Sequence, residues 1–273
     1  MAHLLLRGIP LGPPGWSLRA VLFDKDGTMS HSEPMLQTLA AARIELCLQL
    51  AASLLSGPGG EDELADLLAR AYGVLAAGVD PAGITAVASR DHNLIATATA
   101  LVQVGFGWPE ALAMSERVFS LSDGMHGQRS EHRPQPTEGL GLLVASLAAA
   151  GVACAVISND HSEGISAFLE AHRLDQHFQG HWSADHRPGK PDPGAVHGLC
   201  STLGVDPQEC ALIGDANSDL RMGRAAGVPV VLGYRAGWRI PPPLEVGVPF
   251  LDHWRELQVK GGPVPTPAVS TAS

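Results

Sequence analysis

The sequence predicts an α/β fold, a parallel sheet covered by helices, with an all-helical second domain inserted into it. Residues 152–232 alternate short apolar runs with amphipathic stretches, the pattern of strands joined by helical crossovers. Residues 30–131 carry helical periodicity without a convincing strand. Each apolar run ends in polar residues, and right-handed crossovers would collect those ends on one edge of the sheet.

Taken in order, Ala20-Val21-Leu22-Phe23 is the first core strand, broken by Asp24-Lys25-Asp26-Gly27-Thr28. Residues 33–55 form a long helix with Leu36, Leu39, Ala40, Ile44 and Leu48 at helical spacing. Residues 61–75, 91–104 and 109–121 follow with similar periodicity, separated by Gly57-Pro58-Gly59-Gly60 and Val79-Asp80-Pro81. The polar stretch 128–136 returns the chain to the sheet. Strands at 152–157, 211–213 and 228–232 alternate with helices at 161–172 and 218–226, and 246–257 holds a last strand and helix. The expected division is a core of 19–30 plus 131–240, a helical cap of 31–130 and a core extension of 241–260. Residues 261–273, rich in Gly, Pro, Ala, Ser and Thr, are expected to be a disordered tail.

A chain of 273 residues can bury a substantial core. Its net charge of −10 and its three lysines, Lys25, Lys190 and Lys260, argue against nucleic acid and anionic membranes as partners. No apolar run reaches the length of a membrane span, and Leu4-Leu5-Leu6 is cut short by Arg7 and Pro10, a poor signal peptide. Cys47, Cys154, Cys200 and Cys210 form no C-x-x-C pair, so neither a zinc site nor a disulfide framework is expected. These features point to a cytoplasmic protein. No sequence pattern fixes its oligomeric state.

Asp24 and Asp26 are the chemical signal. Strand alternation would turn both the same way and Lys25 aside. Carboxylates that close need a cation or a shared proton. The arrangement suits phosphoryl chemistry, with a carboxylate nucleophile, an acid/base partner and Mg²⁺. A plain Asp-Gly turn is the alternative reading. A calcium loop is not continued by Met29-Ser30-His31-Ser32. His31, His92, His161 and His186 have no metal-ligand spacing and read as surface or capping residues.

Four strand-end elements stand in order: Asp24-x-Asp26-Gly27-Thr28, Ser158, Lys190-Pro191-x-Pro193 and Gly214-Asp215-x-x-x-Asp219. With a cap-sized insert after the first, this set resembles the haloacid dehalogenase superfamily, and within it phosphoglycolate-phosphatase-like members with a helical cap. The resemblance spans residues 19–238 and implies a Rossmann-like core. It implies that Asp24 attacks phosphorus and that Asp26 protonates the leaving oxygen, then deprotonates water. It implies Mg²⁺ held by Asp24, the Asp26 carbonyl, Asp215 and Asp219, an oxygen-only set. Ser158 and the Asn159 amide would grip phosphoryl oxygens, and Lys190 would neutralise charge.

Asp26 stands where related ion pumps carry Thr, and no lysine lies between Lys25 and Lys190 to form the Schiff base of phosphonate-cleaving relatives. Haloacid dehalogenation would leave Asp26 and the Mg²⁺ site unexplained. The implied activity is therefore hydrolysis of a small phosphomonoester, of sugar-phosphate or phosphoglycolate type. A phosphomutase is the alternative, and a non-catalytic binding module a third reading. The implied partner is a small phosphorylated metabolite. Which cap residues meet it, Arg43, Arg90, Arg117 or none, is not encoded. One departure stands out: Lys25 replaces the apolar residue of many relatives, and its side chain is expected to point away with little catalytic effect.

Overall fold

A computed structural model describes residues 1–55, 59–128 and 134–261. The tail expected from residue 261 lies, apart from Gly261, outside the described residues. The chain opens with β1 (His3–Leu6) and β2 (Ile9–Pro10), then β3 (Ala20–Phe23) and β4 (Ser30–His31). A mainly helical stretch follows: α1 (Glu33–Ala51), α2 (Gly60–Tyr72), the hairpin of β5 (Val74–Leu75) and β6 (Gly78–Val79), α3 (Ile84–Val87), α4 (Arg90–Gln103) and α5 (Trp108–Gln128). Next come β7 (Gln135–Pro136), α6 (Leu140–Ala149), β8 (Ala153–Ile157), α7 (Ser162–Ala171), β9 (Phe178–Trp182) and α8 (Pro193–Leu203). The chain closes with β10 (Cys210–Gly214), α9 (Asn217–Ala225), β11 (Val230–Tyr234), β12 (Phe250–Leu251) and β13 (Leu257–Lys260).

Six strands form one parallel sheet in the order β12-β11-β10-β3-β8-β9. Burial on both faces explains why β3 and β10 are continuous apolar runs. Val21 and Phe23 face a cluster completed by Leu140, Val144, Ile165 and Phe168 of α6 and α7. Ala20 and Leu22 face the other way, among Ala195, Leu199 and Leu220 of α8 and α9. The register sets Phe23 level with Val156 on one side and Ile213 on the other. The loops after β3, β8 and β10 therefore leave the sheet at one edge, as the sequence predicts.

The helical stretch has an apolar cluster of its own, with Cys47, Leu64, Leu68, Tyr72, Leu101, Val118 and Phe119 fully buried. Gly73 closes α2 in a left-handed conformation and donates its N–H to Ala69 and Arg70 carbonyls. The β5–β6 hairpin was not expected among these helices. Neither were β9, α8 or a small antiparallel sheet in which β13 and β2 flank β1. All four cysteines are free and buried. Among the described residues, no helix is long and apolar enough to cross a membrane.

Candidate active site

The strand-end loops bring Asp24, Asp26, Ser158, Asn159, Lys190, Asp215 and Asp219 around one small cavity of about 30 Å³. Ala86 and Val87 of α3 complete its lining from the helical stretch, and Asn159 Nδ2 donates to the Val87 carbonyl at 3.1 Å. A larger concavity of about 400 Å³ between α6 and β13 contains none of the strand-end carboxylates.

Asp24 follows β3 directly, and its backbone N–H donates to Ile213 at 2.9 Å, which locks the turn to β10. Its carboxylate, with those of Asp215 and Asp219, forms a buried group of converging oxygens. Lys190 enters from the loop before α8. Its Nζ lies 2.6 Å from Asp24 Oδ1 and 2.7 Å from Asp219 Oδ1, and donates to the Ile157 carbonyl at 3.3 Å. Burial pushes the Asp24 pKa up to about 6; the Lys190 charge opposes that rise and Asp219 adds to it. Burial also raises Asp215 well above the usual carboxylate range, aided by the charges of Asp24 and Asp219. Lys190 is held above its ordinary value because the charges of Asp219 and Asp24 outweigh the opposing effect of burial.

Three buried carboxylates facing one ammonium leave a formal excess of two negative charges. The donors are all oxygens, the chemistry a hard divalent cation takes. The residues therefore fit a divalent cation between Asp24, Asp215 and Asp219.

Two further residues hold Asp215, and sequence reasoning missed both roles. Thr28 Oγ1 donates to Asp215 Oδ1 at 2.8 Å and Trp238 Nε1 donates to Oδ2 at 2.6 Å. Trp238 arrives from the loop after β11, where Gly237 packs against Gly27 so tightly that a Cβ at Gly237 would fall 1.7 Å from the Gly27 carbonyl oxygen. Gly27 itself has φ +82°, which favours glycine. Glu33 ties this loop to the helical stretch: its carboxylate accepts from Arg239 N at 2.8 Å and from Val79 N at 3.2 Å.

The orientation expected for Lys25 is overturned. Its side chain is buried, with Nζ 2.6 Å from Asp26 Oδ1 and 3.1 Å from Asp160 Oδ2. The reason is that β3 stops at Phe23. Lys25 lies in a turn whose carbonyl accepts from the N–H groups of Met29 and Ser30, so strand alternation does not govern it. Burial would raise Asp26, but the Lys25 charge and hydrogen bond, with Ser32, hold its carboxyl below the usual range.

Two of the three candidate arginines are engaged, and Arg117 is exposed. Arg43 is buried with its guanidinium 3.9 Å from the Phe119 ring centre, and both Arg43 and Arg90 pair with Asp123. His161 pairs with Asp185, and His186 stacks on Trp182.

Comparison with known proteins gives the family and the fold. The family profile described as a haloacid dehalogenase-like hydrolase matches residues 18–227. A phosphoglycolate phosphatase of Pseudomonas putida KT2440 is 28% identical over 246 residues, 87% of this chain and 77% of the relative. One from Rhodospirillum rubrum is 28% identical over 221 residues, 78% of each chain. A crystal structure described as a predicted phosphoglycolate phosphatase from Haemophilus somnus 129PT superposes with a TM-score of 0.58 at 20% identity, covering 82% of this chain and 89% of that one.

Proposed function

The chain belongs to the haloacid dehalogenase-like hydrolases, and we propose that it is a Mg²⁺-dependent phosphatase acting through an aspartyl phosphate on Asp24. Its substrate is a small phosphorylated metabolite, a phosphomonoester of sugar-phosphate or phosphoglycolate type. The observation that carries this reading is Lys190 bridging Asp24 and Asp219 beside Asp215, a charge balance that a divalent cation completes.

Unaided phosphomonoester hydrolysis is so slow that the site must lower the barrier by ~20 kcal/mol or more. Most of that comes from charge stabilisation and alignment. Asp24, the Asp26 carbonyl, Asp215 and Asp219 would hold Mg²⁺. When bound, the ion withdraws charge from the phosphoryl oxygens and shields Asp24 from them. A carboxylate oxygen of Asp24 attacks phosphorus, and the bond from phosphorus to the ester oxygen breaks. Asp26, ionised beside Lys25 in the free site, takes up a proton that enters with the ester and gives it to that oxygen, then removes one from the water that splits the aspartyl phosphate. Ser158 Oγ and the Asn159 amide hold phosphoryl oxygens while Lys190 Nζ offsets their charge.

Residues 31–130 act as a cap over a core of 19–30 plus 131–240, extended by 241–260. The separate apolar cluster of the helices supports this division. A cavity of about 30 Å³ has room for roughly one water. Substrate entry therefore requires Ala86 and Val87 to move off the strand-end loops. Four free cysteines suit a reducing cytoplasm.

The test is release of inorganic phosphate from p-nitrophenyl phosphate and a panel of small phosphate esters, with Mg²⁺ or with EDTA. Release should require Mg²⁺ and fall at least ~10³-fold in Asp24→Asn. No release from any ester by the wild type, or full activity in Asp24→Asn, overturns the assignment.

A further inference from the structure

Lys25 has no task in the chemistry described so far, yet it is 2% exposed at the edge of the site. An ammonium is kept there only because two carboxylates repay its desolvation. Those two carboxylates belong to different loops. One is Asp26, and the other is Asp160, whose backbone N–H donates to Ser158 Oγ at 3.1 Å. The Phe168 ring lies beneath the ammonium, 5.8 Å from Nζ to its centre.

The contacts on Asp26 are one-sided. Among the described residues, every hydrogen bond to its carboxylate reaches Oδ1, from Lys25 Nζ, Ser32 Oγ and, at 3.4 Å, Ser30 Oγ. Three donors on one oxygen fix the rotation of the carboxyl group. Oδ2 is then the oxygen left to exchange a proton with substrate.

We propose that Lys25 is a positioning residue: it anchors Oδ1 of Asp26 to Asp160 of the phosphate-gripping loop, so that Oδ2 meets the leaving oxygen. The proposal rests on the reading of Asp26 as the acid. A misplaced acid harms expulsion of an alkoxide far more than expulsion of p-nitrophenolate, which leaves without a proton. The quantity to measure is kcat/KM, which for a covalent mechanism covers the steps through departure of the leaving group.

The experiment compares an alkyl phosphate from the active panel with p-nitrophenyl phosphate in wild type, Lys25→Met, Lys25→Arg and Asp26→Asn, each checked for folding by circular dichroism. Lys25→Met should lose about 10²-fold in kcat/KM on the alkyl ester and no more than about threefold on the aryl ester. Lys25→Arg should recover part of the alkyl loss. If Lys25→Met does not fold, Lys25→Gln, one atom shorter and uncharged, carries the same expectation. Equal losses on both esters, or none on either, overturn the proposal. If Asp26→Asn itself fails to separate the two esters, the reading of Asp26 as the acid falls instead, and the proposal with it.

Discussion

Replacing Trp238 with phenylalanine isolates one hydrogen bond at the cation site. Trp238 is 5% exposed and Asp215 2% exposed, so bulk solvent does not reach the lost donor's place. Phenylalanine keeps most of the apolar contact and removes the N–H that reaches Asp215 Oδ2 at 2.6 Å. A hydrogen bond to a charged group is worth about 1.5–3 kcal/mol. At 1.4 kcal/mol per decade this corresponds to roughly 10–100-fold, the usual cost of losing a group that orients a metal ligand. Thr28 still holds Oδ1, so the carboxylate swings about one oxygen rather than leaving the site. Isothermal titration of the metal-free protein with MgCl₂ reads the affinity directly. Trp254→Phe is the control. That indole is also buried and donates to Thr137 Oγ1 at 2.7 Å, so its loss should lower stability without changing Mg²⁺ affinity. A folded Trp238→Phe protein that binds Mg²⁺ like wild type would refute the argument.

Two other outcomes follow from the site's construction. Because the folded-state pKa of Asp24 is raised to about 6 from 3.8, its protonated form stabilises the metal-free fold below pH ~4. That contribution, on the order of 3 kcal/mol, is lost as pH rises through 6. Asp215 shifts in the same direction. The rise in Tm on adding Mg²⁺ should therefore be larger at pH 7 than at pH 4.5, and equal rises in differential scanning fluorimetry would contradict it. Gly237→Ala places a methyl group against the Gly27 backbone, which has no side chain to yield. Overpacking of ~1–3 kcal/mol should lower Tm by roughly 3–10 °C and weaken Mg²⁺ binding as Trp238 follows; an unchanged melting curve and titration would show that the contact has slack.

The sheet and the acidic site were legible because their signals are local. Asp24, Asp215 and Lys190 each sit beside a recognisable strand or turn, and the sheet's register does the gathering. Lys25 misled because alternation was extended two residues past Phe23, into a turn that only its hydrogen bonds define. Trp238 gave no local signal. Its partner Asp215 is 23 positions away, and the Gly27–Gly237 contact that admits it exists only in three dimensions. The β1–β13 pairing was hidden for the same reason, since His3 and Lys260 lie at opposite ends of the described chain. β9 was missed because its Phe178-Gln179-Gly180-His181-Trp182 run is a partly exposed edge strand with no clean apolar pattern.

β4 and β7 pair antiparallel, Ser30 with Pro136 and His31 with Gln135. The chain leaves the core and re-enters it through neighbouring strands, about 4.8 Å apart. To the core, everything between them is topologically a single hairpin loop. A two-residue turn could join the same strand ends. The parallel sheet would then keep every one of its strand pairings, because none runs through the excised stretch. Such a layout would let the helical stretch change in length without disturbing the register of the sheet.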